Sequence, residues 1–528
     1  MCGIAGIINA DKYAGEANII KMLAQIEHRG NNNYEYQVFD GAVLGTNRLA
    51  IVDREHAKQP IVSEDGRYAI AYNGEIYNYK TIKNKLIKEG YKFFTDSDTE
   101  TLLAGYIKWG AKVLDEVVGM YGFVIYDTKN KSFFAARDII GVKPLYYAEN
   151  KKGEIYFASE MKELAILPDV KEIKELAPGH YFENSLQPKK YFELKRKRIY
   201  SDEDFVVKKL RELFDNAVKI RVDTDLPVGV QVSGGVDSTA VLATAIKYHK
   251  NVTAIIVGAE GAEDPIYAER YCKENNIKYI KQIEPIEKWQ EHWNELIEQA
   301  IYTGESIEPN PIRNMPMNMI ASRLAKKAGI NIVLLGEGAD ELCAGYPEFR
   351  EELDMDVVEK KILKFVGDLH RTQIQRVDRA SMFYTVENRT PFFDRDFVEF
   401  ALQIDPQLFL KKMEDGQVQE KYVLRQAVKD RLPEYVYNRP KLAFNAGTGM
   451  GSNGPDHNSQ TFIEEKYSEE EYAKDQIALA KKIKFFNINT KIETYLLKRC
   501  VENGYDKAKF MKNRVAANAK NIPNQKKF

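Results

Sequence analysis

Two serines, two glycines and an acid are packed into Ser233-Gly234-Gly235-Val236-Asp237-Ser238. That order suits an anion. Glycine has no Cβ, so the backbone can come close to a ligand. The N–H groups at a helix start favour negative charge. Asp237 would stand beside the anion and hold Mg2+ against it. The Walker spacing G-x-x-x-x-G-K-[ST] is absent. The plain alternative is a strand–helix turn capped by serine. A second cluster, Leu335-Gly336-Glu337-Gly338-Ala339-Asp340-Glu341, alternates glycines with acids directly after an apolar run. Carboxylates facing an anion loop suit Mg2+, with Asp237 and Asp340 as the bridging pair. The third feature is Cys2. Removal of Met1 would leave its thiol beside its own α-amine. That amine, of pKa near ~8, can serve as a base at neutral pH. A thiolate attacks amide carbon readily. The plain alternative for Cys2 is a small core residue.

The elements that must position these groups fall into two sets. Val228, Val230 and Val232 alternate at strand spacing, and a helix is expected from Ser238. Buried strands are expected at 253–258 and 332–335, and helices at 204–222, 267–275 and 317–328. This alternation argues for an open, mostly parallel α/β sheet with ligands at the carboxyl ends of its strands. The first part is strand-rich. It includes 3–8, a stretch with Arg48, 69–78 with Asn73-Gly74-Glu75, a hairpin at 121–138, and a helix after Asp98. Each polar group has a plain reading too. Asn73-Gly74 suits a hairpin turn, Asp98 an N-cap, and Arg48 a solvated strand position. The run Lys195-Arg196-Lys197-Arg198 reads as a solvated linker. It divides the chain into domains 2–195 and 196–528.

Composition excludes several classes. The 528 residues carry a net charge of −1, so no basic field points to nucleic acid or a membrane surface. No apolar run is long enough to span a bilayer. Four scattered cysteines suit neither a disulfide framework nor a zinc site, and a reduced cytoplasmic setting is expected.

Taken in order, Cys2, Arg48, Asn73-Gly74-Glu75 and Asp98 resemble the glutaminase domain of the N-terminal-nucleophile amidotransferases over roughly the first 195 residues. The resemblance implies a stacked αββα sandwich with Cys2 as the nucleophile. It implies Asn73 and Gly74 as the oxyanion hole, and Arg48, Leu49, Ile51, Val52, Glu75 and Asp98 as the glutamine site. His28-Arg29-Gly30-Asn31-Asn32 departs from the usual H-R-G-P-D. The second half adds Asp378-Arg379-Ala380-Ser381-Met382, Glu387-Asn388-Arg389-Thr390-Pro391-Phe392 and Lys421-Tyr422-Val423-Leu424-Arg425. With the two glycine motifs, these resemble the glutamine-hydrolysing asparagine synthetases as far as about residue 445.

That resemblance implies an ATP-pyrophosphatase-like second domain. ATP would lie on Val232, Ser233, Gly234, Gly235, Asp237, Ser238, Val257, Leu335 and Gly336, and Lys421 would meet the phosphates. The acceptor would lie on Arg313 and Glu337. The implied substrates are glutamine, aspartate and MgATP, and the products asparagine, AMP and pyrophosphate; a homodimer is the family precedent. Another carboxylate is the alternative acceptor, such as a natural-product, sugar or peptide acid. The reason is that Pro311-Ile312-Arg313-Asn314-Met315-Pro316-Met317 replaces the usual T-I-R-A-S-T-P, and Leu335 the usual Ser. Met120 is a candidate lining residue for an ammonia passage. Residues 447–454 read as a mobile loop and the lysine-rich last twenty as a frayed tail.

Overall fold

The computed structural model describes residues 2–30, 34–352, 354–414, 416–450, 463–465, 467–482 and 490–508. Asn31, Asn32, residues 451–454 of the expected loop and the lysine-rich tail lie outside the described residues.

The first half stacks two antiparallel six-stranded sheets. The strand Gly3–Ile8 lies inside one, between Ile155–Ala158 and Ala42–Asn47. The strand Tyr68–Ile76 lies inside the other, beside Gly119–Asp127. Side chains of a strand alternate between faces, which builds the layers. Ile4 and Ile8 meet Ala69, Ala71 and Val124 between the sheets. Ala5 and Ile7 face Ile19, Met22 and Leu23 of the helix Lys12–Ala24. Ile70 and Tyr72 face Leu102 and Leu103 of the helix Asp98–Trp109. The result is the αββα sandwich, with Cys2 at the entrance of a strand buried on both faces.

The second half holds a five-stranded parallel sheet in the order Tyr279–Glu284, Val252–Ala259, Val228–Gln231, Ile332–Leu334, Glu387–Arg389. The strand order reverses between Val228–Gln231 and Ile332–Leu334. A ligand crevice forms at such a switch point, beyond the carboxyl ends. Both glycine motifs emerge there.

Two sequence expectations need correction. The basic run 195–198 is not simply solvated. The Arg196 side chain is fully buried and donates to Ile404 O at 2.7 Å, and Arg198 pairs with Glu359 at 3.1 Å. The helix expected at 317–328 is Pro309–Lys327, so the segment 311–317 is helical. No helix among the described residues is long and apolar enough to cross a membrane.

A buried ionic cluster joins the halves. Arg29 pairs with Glu160 at 2.7 Å and with Asp378 at 2.9 Å, and Lys143 reaches Asp378 at 3.3 Å. Arg379 meets Glu305 at 3.1 Å. Burial alone would raise the Asp378 carboxyl, but Arg29, Lys143 and Arg379 hold it well below the usual range. Removing one member of such a cluster strands a buried charge, which costs about 3–5 kcal/mol.

Candidate active sites

At the first site, Cys2 is 5% exposed, and burial pushes its thiol up. Its backbone N donates to Asn73 Oδ1 at 3.1 Å, and Arg29 Nε donates to Cys2 O at 3.1 Å. The same Asn73 amide leaves Nδ2 buried without a partner among the described residues. A buried donor without an acceptor is rare and suits an oxygen that arrives with substrate. Asn73-Gly74 is not a hairpin turn. It sits inside the strand Tyr68–Ile76, where a Cβ on Gly74 would meet Met120 O at 2.2 Å.

Cys2, Arg48, Leu49, Ile51, Val52, Gly74, Glu75 and Asp98 line one pocket, with Gln59, Tyr72, Thr99 and Glu387. The Arg48 guanidinium braces its own loop, donating to Val52 O at 3.0 Å and Asp53 O at 2.9 Å. Asp98 is not the N-cap. Ser97 caps that helix, so Asp98 Oδ2 is free to accept Tyr72 OH at 2.8 Å and Ile76 N at 3.1 Å. Burial pushes the Glu75 carboxyl up, against Arg389 at 3.3 Å. Gln59 carries no family motif, yet its amide reaches Thr99 Oγ1 at 3.2 Å beside the thiol.

At the second site, the turn before the helix Val236–Tyr248 closes on itself: Ser233 N donates to Ser238 Oγ at 3.1 Å. Gly234 has φ +71°, and a Cβ there would meet Tyr267 Cβ at 2.5 Å. Gly336 presses against the same turn, its virtual Cβ 2.9 Å from Ser238 N. The cleft is lined by Val232, Ser233, Gly235, Asp237, Ser238, Val257, Leu335, Gly336, Glu337 and Asp340.

Lys421 is 1% exposed, and its Nζ lies 2.7 Å from both Asp237 Oδ2 and Asp340 Oδ1. Lys441, absent from the sequence motifs, pairs with Asp340 at 2.6 Å. Burial would raise Asp340, but Lys421 and Lys441 hold it well below the carboxylate range. Glu341 turns away to accept from Tyr346 OH, and burial beside Asp340 pushes it up to about 7.

A divalent cation fits this corner. Asp237 Oδ1 is buried and has no partner among the described residues, and Asp340 faces it across Lys421. No cluster of three or more metal-ligating side chains exists among the described residues, so such an ion would take its other oxygens from phosphate and water. Arg313 is not brought to the cleft. On its helix, Asn310 and Asn314 line the wall instead. The arginine there is Arg376, which pairs with Glu337 at 2.9 Å and donates to Gln373 Oε1 at 2.7 Å. It stands two residues before Asp378-Arg379, and nothing in its local sequence marks it.

Residues 1–200 match the family described as a glutamine amidotransferase domain, and 209–360 and 355–507 match asparagine synthase. "Asparagine synthetase [glutamine-hydrolyzing] 2" of Arabidopsis thaliana is 32% identical over 472 residues, spanning 85% of this chain and 79% of its own. The chain belongs to the glutamine-hydrolysing asparagine synthetase family. A Zea mays asparagine synthetase [glutamine-hydrolyzing] is 31% identical over 474 residues, 85% of this chain and 78% of its own. A solved glutamine phosphoribosylpyrophosphate amidotransferase from B. subtilis aligns at 17% identity and a TM-score of 0.31 over 53% of this chain and 65% of its own. That is too loose a likeness to carry an argument.

With the Gly74 N–H read as an oxyanion donor, as the family resemblance implies, Gly74→Ala is expected to cut glutamate release about 10²-fold, the usual effect of losing one such donor. The added methyl has no room beside Met120 O, so the Gly74 N–H must move. Initial rates of glutamate formation from glutamine check this; near-normal rates would mean that the strand pair absorbs the methyl.

Proposed function

We propose that the chain makes asparagine from aspartate, with glutamine as nitrogen donor and MgATP as activator. After removal of Met1, the Cys2 thiolate attacks the glutamine amide carbon while the Cys2 α-amine takes the thiol proton. The oxyanion falls to Asn73 Nδ2 and the Gly74 N–H. Ammonia leaves with the proton, and water cleaves the thioester to glutamate. At the second site an aspartate side-chain oxygen attacks the α-phosphorus of ATP and pyrophosphate departs. Ammonia then attacks the acyl carbon and AMP leaves.

The Ser233 turn and the N-terminus of its helix receive phosphate oxygens. Lys421 and Lys441 stabilise the charge that develops there. Asp237 and Asp340 would hold Mg2+, which would supply positive charge against the triphosphate. Arg376 and Glu337 present opposite charges, suited to the carboxylate and ammonium of an amino acid. Ammonia would be protonated in bulk water. A continuous apolar cluster containing Leu49, Met120, Val232 and Val236 runs from the Cys2 pocket to the Ser233 turn and supports a sheltered route. A cytoplasmic homodimer completes the proposal, on family precedent alone.

The observation that carries this reading is the buried Lys421 ammonium shared by two acids beside the glycine turn. The test is AMP formation from ATP and glutamine across a panel of carboxylates. Aspartate-dependent AMP with matching asparagine is expected. Glutamate release without aspartate-dependent AMP would move the acceptor elsewhere, with Asn310, Asn314 and Arg376 as the wall that selects it.

A further inference from the structure

We infer that Glu387, a residue of the second domain, is a positioning group for the Cys2 α-amine and sets the pH range in which the glutaminase site works. This rests on the glutaminase reading above. Glu387 opens the edge strand Glu387–Arg389 of the parallel sheet, yet it lines the Cys2 pocket of the other domain. Its side chain is fully buried, and Oε1 accepts from Arg389 Nε at 2.7 Å. The first domain supplies the Cys2 nitrogen with Asn73 Oδ1 at 3.1 Å. A terminal amine has more N–H bonds than one acceptor satisfies.

Other charges face the same space. Glu75 comes from the strand Tyr68–Ile76, Asp98 from the helix Asp98–Trp109, and Arg48 from the end of Ala42–Asn47. Arg389 pairs with Glu75 at 3.3 Å as well as with Glu387. Arg29 donates to Cys2 O at 3.1 Å, and Lys143 acts on Glu387 through space. Tyr72 is tied to Asp98 at 2.8 Å. Asp98 accepts from Tyr72 and Ile76 N, and Arg389 is shared by Glu75 and Glu387; Glu387 is singled out because it reaches this pocket from outside the glutaminase fold.

A carboxylate beside an amine favours the protonated form and raises its pKa. The mechanism needs the free amine, so activity falls as pH drops through that pKa. Removing the charge lowers the pKa and carries the acid limb to lower pH. Glu387→Gln keeps the shape and the acceptor for Arg389. In the full-length chain it is expected to shift the acid limb of kcat/KM for glutamate release down by about one pH unit. Glu387→Ala should shift it likewise, whereas Glu387→Asp, which keeps the charge, should not. AMP formation with ammonium chloride in place of glutamine reports that the second domain is folded.

Superimposable acid limbs for wild type and a folded Glu387→Gln or Glu387→Ala would overturn the inference. So would loss of ammonia-dependent AMP formation in both, since Glu387 would then be a structural group of its own domain. A wild-type chain that releases no glutamate would instead sink the glutaminase reading.

Discussion

Lys421→Met is expected to lower glutamine- and ammonia-dependent AMP formation alike by about 10²–10³-fold, the range seen when one donor to a developing charge is removed. Glutamate release without acceptor should stay within a few-fold of wild type, because Cys2 and its pocket lie in the other domain. Methionine keeps the length and apolar stem of lysine and deletes the ammonium that stands 2.7 Å from Asp237 and from Asp340. Asp340 retains Lys441 at 2.6 Å, whereas Asp237 loses the Lys421 ammonium, its ion-pair partner among the described residues. A stranded buried carboxylate costs about 3 kcal/mol or more, so a lower melting temperature accompanies the change. Lys421 itself holds a left-handed φ of +54°, a conformation rare for a side-chain-bearing residue and kept where the surroundings over-determine it. AMP quantified against glutamate in the same reaction separates the effects. AMP formation within tenfold of wild type in a folded variant would remove Lys421 from the chemistry.

Local chemistry made the two glycine turns legible. Apolar alternation marked the strands, and the missing Cβ of Gly234 and Gly336 marked the close approaches. The αββα layering was legible through the family resemblance, whereas the strand Gly3–Ile8 is apolar throughout and only the fold sends Ile4 and Ile8 to one face and Ala5 and Ile7 to the other. Long-range partners were not legible. The family motif marked Lys421 as a phosphate contact, but nothing local showed that Asp237 and Asp340, 184 and 81 positions away, would both lie beside it. The Arg196 side chain is buried because Ala401 O and Ile404 O, more than two hundred positions on, accept its N–H groups.

The helix Pro309–Lys327 begins eight residues before the expected start at 317 and takes in three prolines. Pro309 and Pro311 fall in its first turn, where a missing N–H costs nothing. Pro316 lies inside the helix, between buried Met315 and Met317, so packing outweighs the lost hydrogen bond. That shift places Asn310 and Asn314, rather than Arg313, at the cleft. Glu387 shows a different limit. Its motif was visible, but its place in the other domain's pocket depends on how the domains dock. The Arg29–Asp378 pair contributes to that docking.

Cys2→Ala should abolish glutamine-dependent asparagine formation while leaving the ammonia-dependent reaction within two- to threefold of wild type. Loss of a covalent nucleophile commonly removes about 10⁶-fold of rate, so residual glutamate release should fall below detection. No other thiol is placed to substitute: Cys272, Cys343 and Cys500 are buried outside this pocket. Tyr72 is tied to Asp98 and pushed well above the usual phenol range by burial, and Thr99 is held by Gln59. The substitution removes one buried atom at a site already 5% exposed, so the fold should survive. Product formation with glutamine and with ammonium chloride, measured side by side, reads both domains at once. Equal loss with both nitrogen sources would mean that Cys2 supports the fold or the domain contact through Arg29, whereas glutamine-dependent product from the variant would place the nucleophile elsewhere. Retention with ammonia alone would fix Cys2 as the residue that splits glutamine and would show that the second site accepts nitrogen without it.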